Sequence, residues 1–227
     1  KIRLEPQDEY MHALEEASNF NESMYFNCYD PAERVGGFLR LGNRANEGYA
    51  ELTTCLYLPD GRVAFVFKRA EITNNDAFDA GGTRFEVVTP FEELRTTHHG
   101  KVCLLDEPKQ MADPRKAFTE NPWEECDVEW THFGISPMYG GEPVNDDGSP
   151  LESDASGFAK GHYEQHMRVS GRLTIDEEEI PGLSFAAFHR TATILHLPAV
   201  SVFASKSEAV LVDATDLAAA LAADTQD

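Results

Sequence analysis

"YAELTTCLYLPDGRVAFVFKR", residues 49–69, reads as two extended runs joined by a reversal. Pro59, Asp60 and Gly61 supply what a tight reversal needs: a preset φ, a side chain that bonds its own backbone, and freedom of angle. In the first run Ala50, Leu52, Thr54, Leu56 and Leu58 share one face, and Tyr49, Glu51, Thr53, Cys55 and Tyr57 share the other. That period of two belongs to a strand. With only a turn between them, the two runs must pair antiparallel.

The same rhythm extends in both directions from this hairpin. Short β-rich runs occupy residues 23–29 and 36–42 before it, and 83–90, 92–98, 101–106 and 126–134 after it, with 92–98 and 101–106 linked through His99-Gly100. No crossover helix separates any of them, so the chain is expected to be all-β and to form an antiparallel up-and-down meander. "DEYMHALEEASNF" (8–20) is read as a helical opening, and the long connection 107–125 as a loop with a short helix begun at Asp113. A stretch rich in Gly, Pro, Asp and Ser at 137–161 marks a boundary. We therefore divide the chain into a β domain (1–145), a linker with the first strands of a second, incomplete β unit (146–182), and a divergent tail (183–227) ending in a helix over "DATDLAAALAA".

Composition narrows the partners. The 227 residues hold 19 basic and 40 acidic side chains, a net charge of −21, which repels a phosphate backbone and an anionic membrane alike, so no nucleic-acid partner is expected. The most apolar late stretch, "TATILHLPAVSVFA" (191–204), is too short for a membrane span and carries His196 and Pro198. Four well-separated cysteines, Cys28, Cys55, Cys103 and Cys126, read as reduced, packed thiols and suggest a cytoplasmic protein. The chain has no P-loop, no G-x-G-x-x-G, no G-x-S-x-G and no H-E-x-x-H. No cofactor is expected, which leaves binding or cofactor-free acid/base chemistry.

Polar constellations supply the candidate residues. In "GHYEQHMRVSGRL" (161–173), His162, Glu164 and His166 share one strand face while Tyr163, Gln165, Met167, Val169 and Leu173 share the other. The apolar face should meet the core. That turns the His-Glu-His row to water, with acid/base service at an interface as the functional alternative and no metal site expected. Gln165 is the odd residue on the apolar face, either satisfied by backbone or lining a cavity. Glu51 is the one charge on the mixed face of 49–58. "RLGNRANEGYA" (40–50) brings Arg40 and Asn43 to a turn that either only reverses the chain or also touches a ligand. Tyr25 belongs to an aromatic set, with Phe38, Phe65, Phe67 and Phe85, that is most simply core.

Four stretches taken as a set, "ESMYFNCYDPAERVGGFLRLGNRANEGYAELTTCLYLPDGR" (22–62), "NDAFDAGG" (75–82), "SPMYGGEP" (136–143) and "GHYEQHMRVSGRL" (161–173), resemble the uncharacterised bacterial branch of the hydroxyneurosporene synthase (carotenoid hydratase) superfamily. The resemblance implies lipocalin-like (calycin) barrels, or a strongly curved sheet, and an apolar ligand such as a terpenoid, steroid or lipid. For the hydratases themselves it implies addition of water to an isoprenoid double bond without a redox cofactor. On that reading a carboxylic acid protonates the double bond, with Glu51 and Glu164 as candidates, His162 and His166 as further catalytic candidates, Tyr49, Tyr57 and Tyr139 as walls or donors, and Tyr25 as a ligand contact. Gln165, Arg40 and Asn43 complete the expected ligand contacts. The Asp-His-Ser-Trp-Gly motif of such relatives is absent: the chain reads "GLSFAAFHRTATILH" (182–196) in its place, as a truncated, fused or frame-shifted C-terminal part would. The alternative from another class is a non-catalytic structural or protein-interaction module whose barrel is filled by its own side chains.

Overall fold

The computed structural model describes residues 1–149, 151 and 160–180, and for 186–195 the backbone alone. Among these, the strands in chain order are β1 (Ile2–Arg3), β2 (Asn21–Asp30), β3 (Val35–Arg44), β4 (Tyr49–Tyr57), β5 (Val63–Glu71), β6 (Asp79–Ala80), β7 (Thr83–Thr89), β8 (Glu93–Leu105), β9 (Trp123–Gly134), β10 (Tyr139–Pro143), β11 (Gly161–Ile175), β12 (Glu178–Ile180) and β13 (Ala186–Leu195). The hairpin of residues 49–69 forms as its sequence requires. β4 and β5 pair antiparallel from Tyr49 opposite Glu71 to Tyr57 opposite Val63. In the turn, Gly61 N donates to Leu58 O at 3.0 Å, and Asp60 Oδ1 accepts from Arg62 N at 3.0 Å.

All ladders are antiparallel, and they trace a circuit. β2 pairs β3, β3 pairs β4, and β4 pairs β5. β5 pairs β8, β8 pairs β9, and β9 pairs β11. β11 pairs β13, which returns to β2. The circuit is not sealed along its height. β5 meets β8 only through Val63–Leu105, Ala64–Leu104 and Phe65–Cys103. Beyond that point the same edge of β8 is taken by β7, with β6 behind it, and no ladder joins β6 or β7 to β5 among the described residues. The result is a strongly curved antiparallel sheet with a seam, not a closed barrel.

Strand alternation decides what fills the curve. Phe26, Leu39, Leu52, Leu94, Trp130 and Met167 are fully buried on the inner face. A smaller cluster lies on the outer face, where Cys55, Val63, Cys103 and Leu105 are covered by α1 (Pro114–Glu120). This helix starts where expected: Asp113 Oδ1 accepts from Lys116 N at 3.1 Å and Pro114 occupies its first turn. Phe118 of α1 stacks on Phe65 at 5.6 Å.

Three expectations are corrected. Residues 8–20 are not a helix: only Pro6–Glu9 makes a 3-10 turn. The segment is a strap across the rim, and several of its polar groups bond the rest of the fold. His12 N donates to the Glu22 carboxylate (3.1 and 3.2 Å), Tyr163 Oη donates to Asp8 O (3.1 Å), and Asn46 Nδ2 donates to Glu15 O (2.6 Å) and Ala17 O (2.8 Å). Leu4 and Met11 pack on the core, and Phe20 is buried. Second, 92–98 and 101–106 are one strand, because β9 pairs with it unbroken from Glu93–Phe133 to Cys103–Trp123. Third, β11, expected to begin a second unit, lies in the same sheet, paired to β9 from Met167–Gly134 to Ile175–Cys126. The helix expected near 213–223 lies outside the described residues. Leu52 is fully buried in the inner cluster. Leu52→Ala should lower unfolding stability in urea by about 2–5 kcal/mol with little change in m.

Candidate functional site

β8 and β9 turn polar side chains into the apolar interior. On β8, Leu94, Thr96, His98, Val102 and Leu104 alternate inward, and on β9 Cys126, Val128, Trp130 and His132 do the same. Thr96 lies opposite Trp130 and His98 opposite Val128, which makes Trp130 and His98 diagonal neighbours on the inner face. Thr96 Oγ1 and His132 Nε2 are 2.9 Å apart, and Thr83 Oγ1 on β7 is 2.8 Å from His98 Nδ1. Aromatic rings enclose this row. Phe26 is 4.6 Å from the His132 ring and 5.1 Å from Phe85, centroid to centroid, and Trp130 meets His132 edge-on.

Two nitrogens in this setting have no hydrogen-bond partner among the described residues: Trp130 Nε1 and His98 Nε2, both on side chains that are essentially fully buried. An indole N–H can only donate, and a neutral imidazole has one donor and one acceptor. Burial holds His98 neutral, lowering its pKa to about 4, with the positive charges of Lys68 and His99 acting in the same direction and Asp127 opposing. The four cysteines are free and buried; burial pushes the Cys55 and Cys126 thiols up to about 12, so they pack as neutral groups.

A second polar knot ties the rim. Glu22 Oε1 lies 2.6 Å from His12 Nδ1, Glu22 Oε2 accepts from Asn75 Nδ2 at 2.8 Å, and Asn43 Nδ2 donates to Asn75 Oδ1 (3.2 Å) and Ala77 O (2.9 Å). The Glu22 hydrogen bond raises the His12 pKa against the effect of burial, with Asp8 and Glu142 adding to the rise. Asn43 thus anchors the 72–78 loop to the end of β3.

The residues singled out from the sequence fall mostly on the outer face. Glu51 is bound by Arg69, with Nη2 at 2.9 Å and Nε at 3.1 Å, and lies 3.9 Å from Arg40 Nη1. Tyr49 packs beneath the Arg44 and Arg69 guanidiniums. Tyr25 meets Phe38 at 5.3 Å, and its phenol, like that of Tyr57, is pushed up by burial. Tyr139 stands in solvent at 80 % exposure. On β11 the alternation holds: Tyr163, Gln165, Met167 and Val169 are buried, whereas His162, Glu164 and His166 face outward, with His162 Nε2 and Glu164 Oε1 3.2 Å apart. His162 and Glu51 lie in one cross-sheet row through Thr193, Ser23 and Gly42. Four strand spacings separate them, on the order of 19 Å along the sheet. Glu51, Glu164, His162 and His166 are therefore not gathered into one site. Gln165 points inward, as Asn43 does at the rim; its Nε2 donates to Phe91 O (2.9 Å) and Ser136 O (3.0 Å), while its Oε1 has no partner among the described residues.

His98, Trp130, Thr96 and His132 were legible in principle. "ELRTTHHGKVCLL" and "CDVEWTH" place each of them in alternation with Leu94, Val102 or Val128. A polar side chain on an apolar face is the same signal that drew attention to Gln165.

The buried neutral His98 should show in the pH dependence of stability. Its folded pKa of about 4 lies below the ordinary 6.5, so between those values the unfolded chain binds a proton that the folded chain refuses. Its contribution is fully present above pH 6.5 and is lost as pH falls toward 4, on the order of 3 kcal/mol in total. Urea unfolding from pH 7 to 4 should show this loss in the native protein and a correspondingly flatter profile in His98→Asn.

No curated protein matches the chain. A family model described as a domain of unknown function (DUF7064) matches residues 5–186, a span that takes in the strap, β2 to β12 and the polar row of β8 and β9. With that match covering most of its length, the chain belongs to the DUF7064 family.

Proposed function

We propose that the curved sheet takes up a mostly apolar small molecule in its interior, a terpenoid, steroid or lipid, and works as a lipocalin-like binding protein. The observation that carries this reading is the Trp130 indole N–H, fully buried beside His132, which itself meets Phe26, and without a hydrogen-bond acceptor among the described residues. Leaving such a donor unmet costs about 1–3 kcal/mol. A ligand oxygen on an apolar skeleton would meet it while the rings enclose the rest. The likeness of residues 22–62 and 161–173 to the carotenoid hydratase superfamily favours an isoprenoid-like skeleton.

Binding is the reading we favour over water addition. Protonating a double bond needs a carboxylic acid beside it in the interior. Glu51 is engaged by Arg69 on the outer face, Glu164 also faces outward, and the buried Glu22 carboxylate is held by His12 and Asn75.

The test uses Trp123→Phe, which leaves Trp130 as the sole indole of the two in the chain. Titration with 1-dodecanol should change Trp130 emission saturably at micromolar concentration and displace the neutral probe N-phenyl-1-naphthylamine. An unchanged emission and no probe binding would instead favour a filled, non-catalytic interaction module.

A further inference from the structure

We propose that the seam between β5 and β7 is a carboxylate site, where Lys68 and His98 hold the acid head of an otherwise apolar molecule whose tail lies inside the curved sheet. This rests on the interior-ligand reading above and adds the chemistry of the head group and its place.

The seam exists because β8 has two neighbours on one edge. β5 leaves it after Phe65, β7 occupies it up to His98, and the β6–β7 turn lies between. Gly81, in that turn at φ +61, sits against the inner side of β5. A Cβ built on it would clash with the interior Leu52, and would lie 2.8 Å from Lys68 Cε and 3.1 Å from Ala70 Cβ. The Lys68 stem therefore runs along the seam, beside the core. The residue itself is exposed. In a chain with 40 acidic residues, the Lys68 ammonium makes no ion pair or hydrogen bond among the described residues.

His98 faces the same place from β8. Its Nδ1 is engaged by Thr83 Oγ1 at 2.8 Å, its Nε2 has no partner, and it is fully buried. Two residues on, Gly100 offers no side chain on this face. Among the described residues a Cβ there would touch nothing but the imidazole, with Nε2 at 3.8 Å and Cε1 at 3.9 Å. The unpartnered nitrogen thus looks onto room that any other residue would fill. His99 N donates to Gly82 O at 2.8 Å, which pins the β6–β7 turn beside this gap.

The charges select the head group. Lys68 is close enough to disfavour a proton on His98, so the pair offers one positive charge and one neutral ring. The site uses the tautomer in which the Thr83 hydroxyl donates to Nδ1, so that the ring proton sits on Nε2 and points at the gap. One ammonium and one N–H match the two oxygens of a carboxylate. A phosphate monoester would bring a second negative charge against a single cation, in a protein whose net charge is already −21.

Calorimetric titration with dodecanoate, 1-dodecanol and dodecyl phosphate tests the assignment. Dodecanoate should bind at least about tenfold more tightly than the alcohol, as charge-assisted hydrogen bonds of this kind provide. The acid-to-alcohol preference should fall to near one in Lys68→Met and return in Lys68→Arg. Alcohol binding without a preference for the acid, or a preference that survives Lys68→Met, would overturn the carboxylate site and leave the interior-ligand reading standing. Dodecyl phosphate binding as tightly as dodecanoate would overturn the choice of a singly charged head. Failure of all three to bind would sink both readings.

Discussion

β8 is hydrogen-bonded to two different strands along one edge, and the rest of the architecture follows from that. Its lower residues, Cys103 to Leu105, hold β5, and its upper residues, from Glu93 to His98, hold β7. A strand edge can serve only one partner at each position. Once β7 has taken the upper part, the remainder of β5 has no neighbour on that side among the described residues. The wall is then forced to curve without closing, and interior groups such as His98 come to lie next to a gap in it.

The two ends of the interior are handled differently. At the rim formed by the starts of β2 and β11 and the end of β3, the strap of residues 4–20 crosses the opening. It is tied by hydrogen bonds from Tyr163, Asn46 and Asn75 and by the Glu22–His12 pair. A buried carboxylate is tolerated there because its oxygens are met by a ring nitrogen, a backbone N–H and an amide. The inner row on β8 and β9 has no such completeness. Thr96 with His132 and Thr83 with His98 are satisfied pairs, yet Trp130 Nε1 and His98 Nε2 are not. Native interiors rarely leave donors in this state without a use for them.

The outer face carries the charges that first invite a catalytic reading. Glu51 lies between Arg40 and Arg69, and Glu164 lies beside His162, but the circuit of strands holds these groups apart. Such pairs orient side chains on the sheet and lend modest stability. The inner face instead holds neutral polar groups under aromatic cover, an environment in which a single hydrogen bond or charge has far more effect.

Much of this is readable in the sequence itself. The hairpin at 49–69, the helix begun at Asp113, and the inward Tyr163, Gln165 and Met167 against the outward His162, Glu164 and His166 all follow from the alternation of neighbours and from the chemistry of Pro, Asp and Gly. These signals are local: each depends on residues within a few positions, so the chain itself determines them. The seam, the packing of the Lys68 stem beside Gly81, the contacts of Phe26 with Phe85 and His132, and the conversion of 8–20 from an expected helix to a strap depend on which strands become neighbours across tens of residues. Pairing partners and curvature are set by the whole sheet at once, because every ladder constrains the next, and no short window of sequence contains that information.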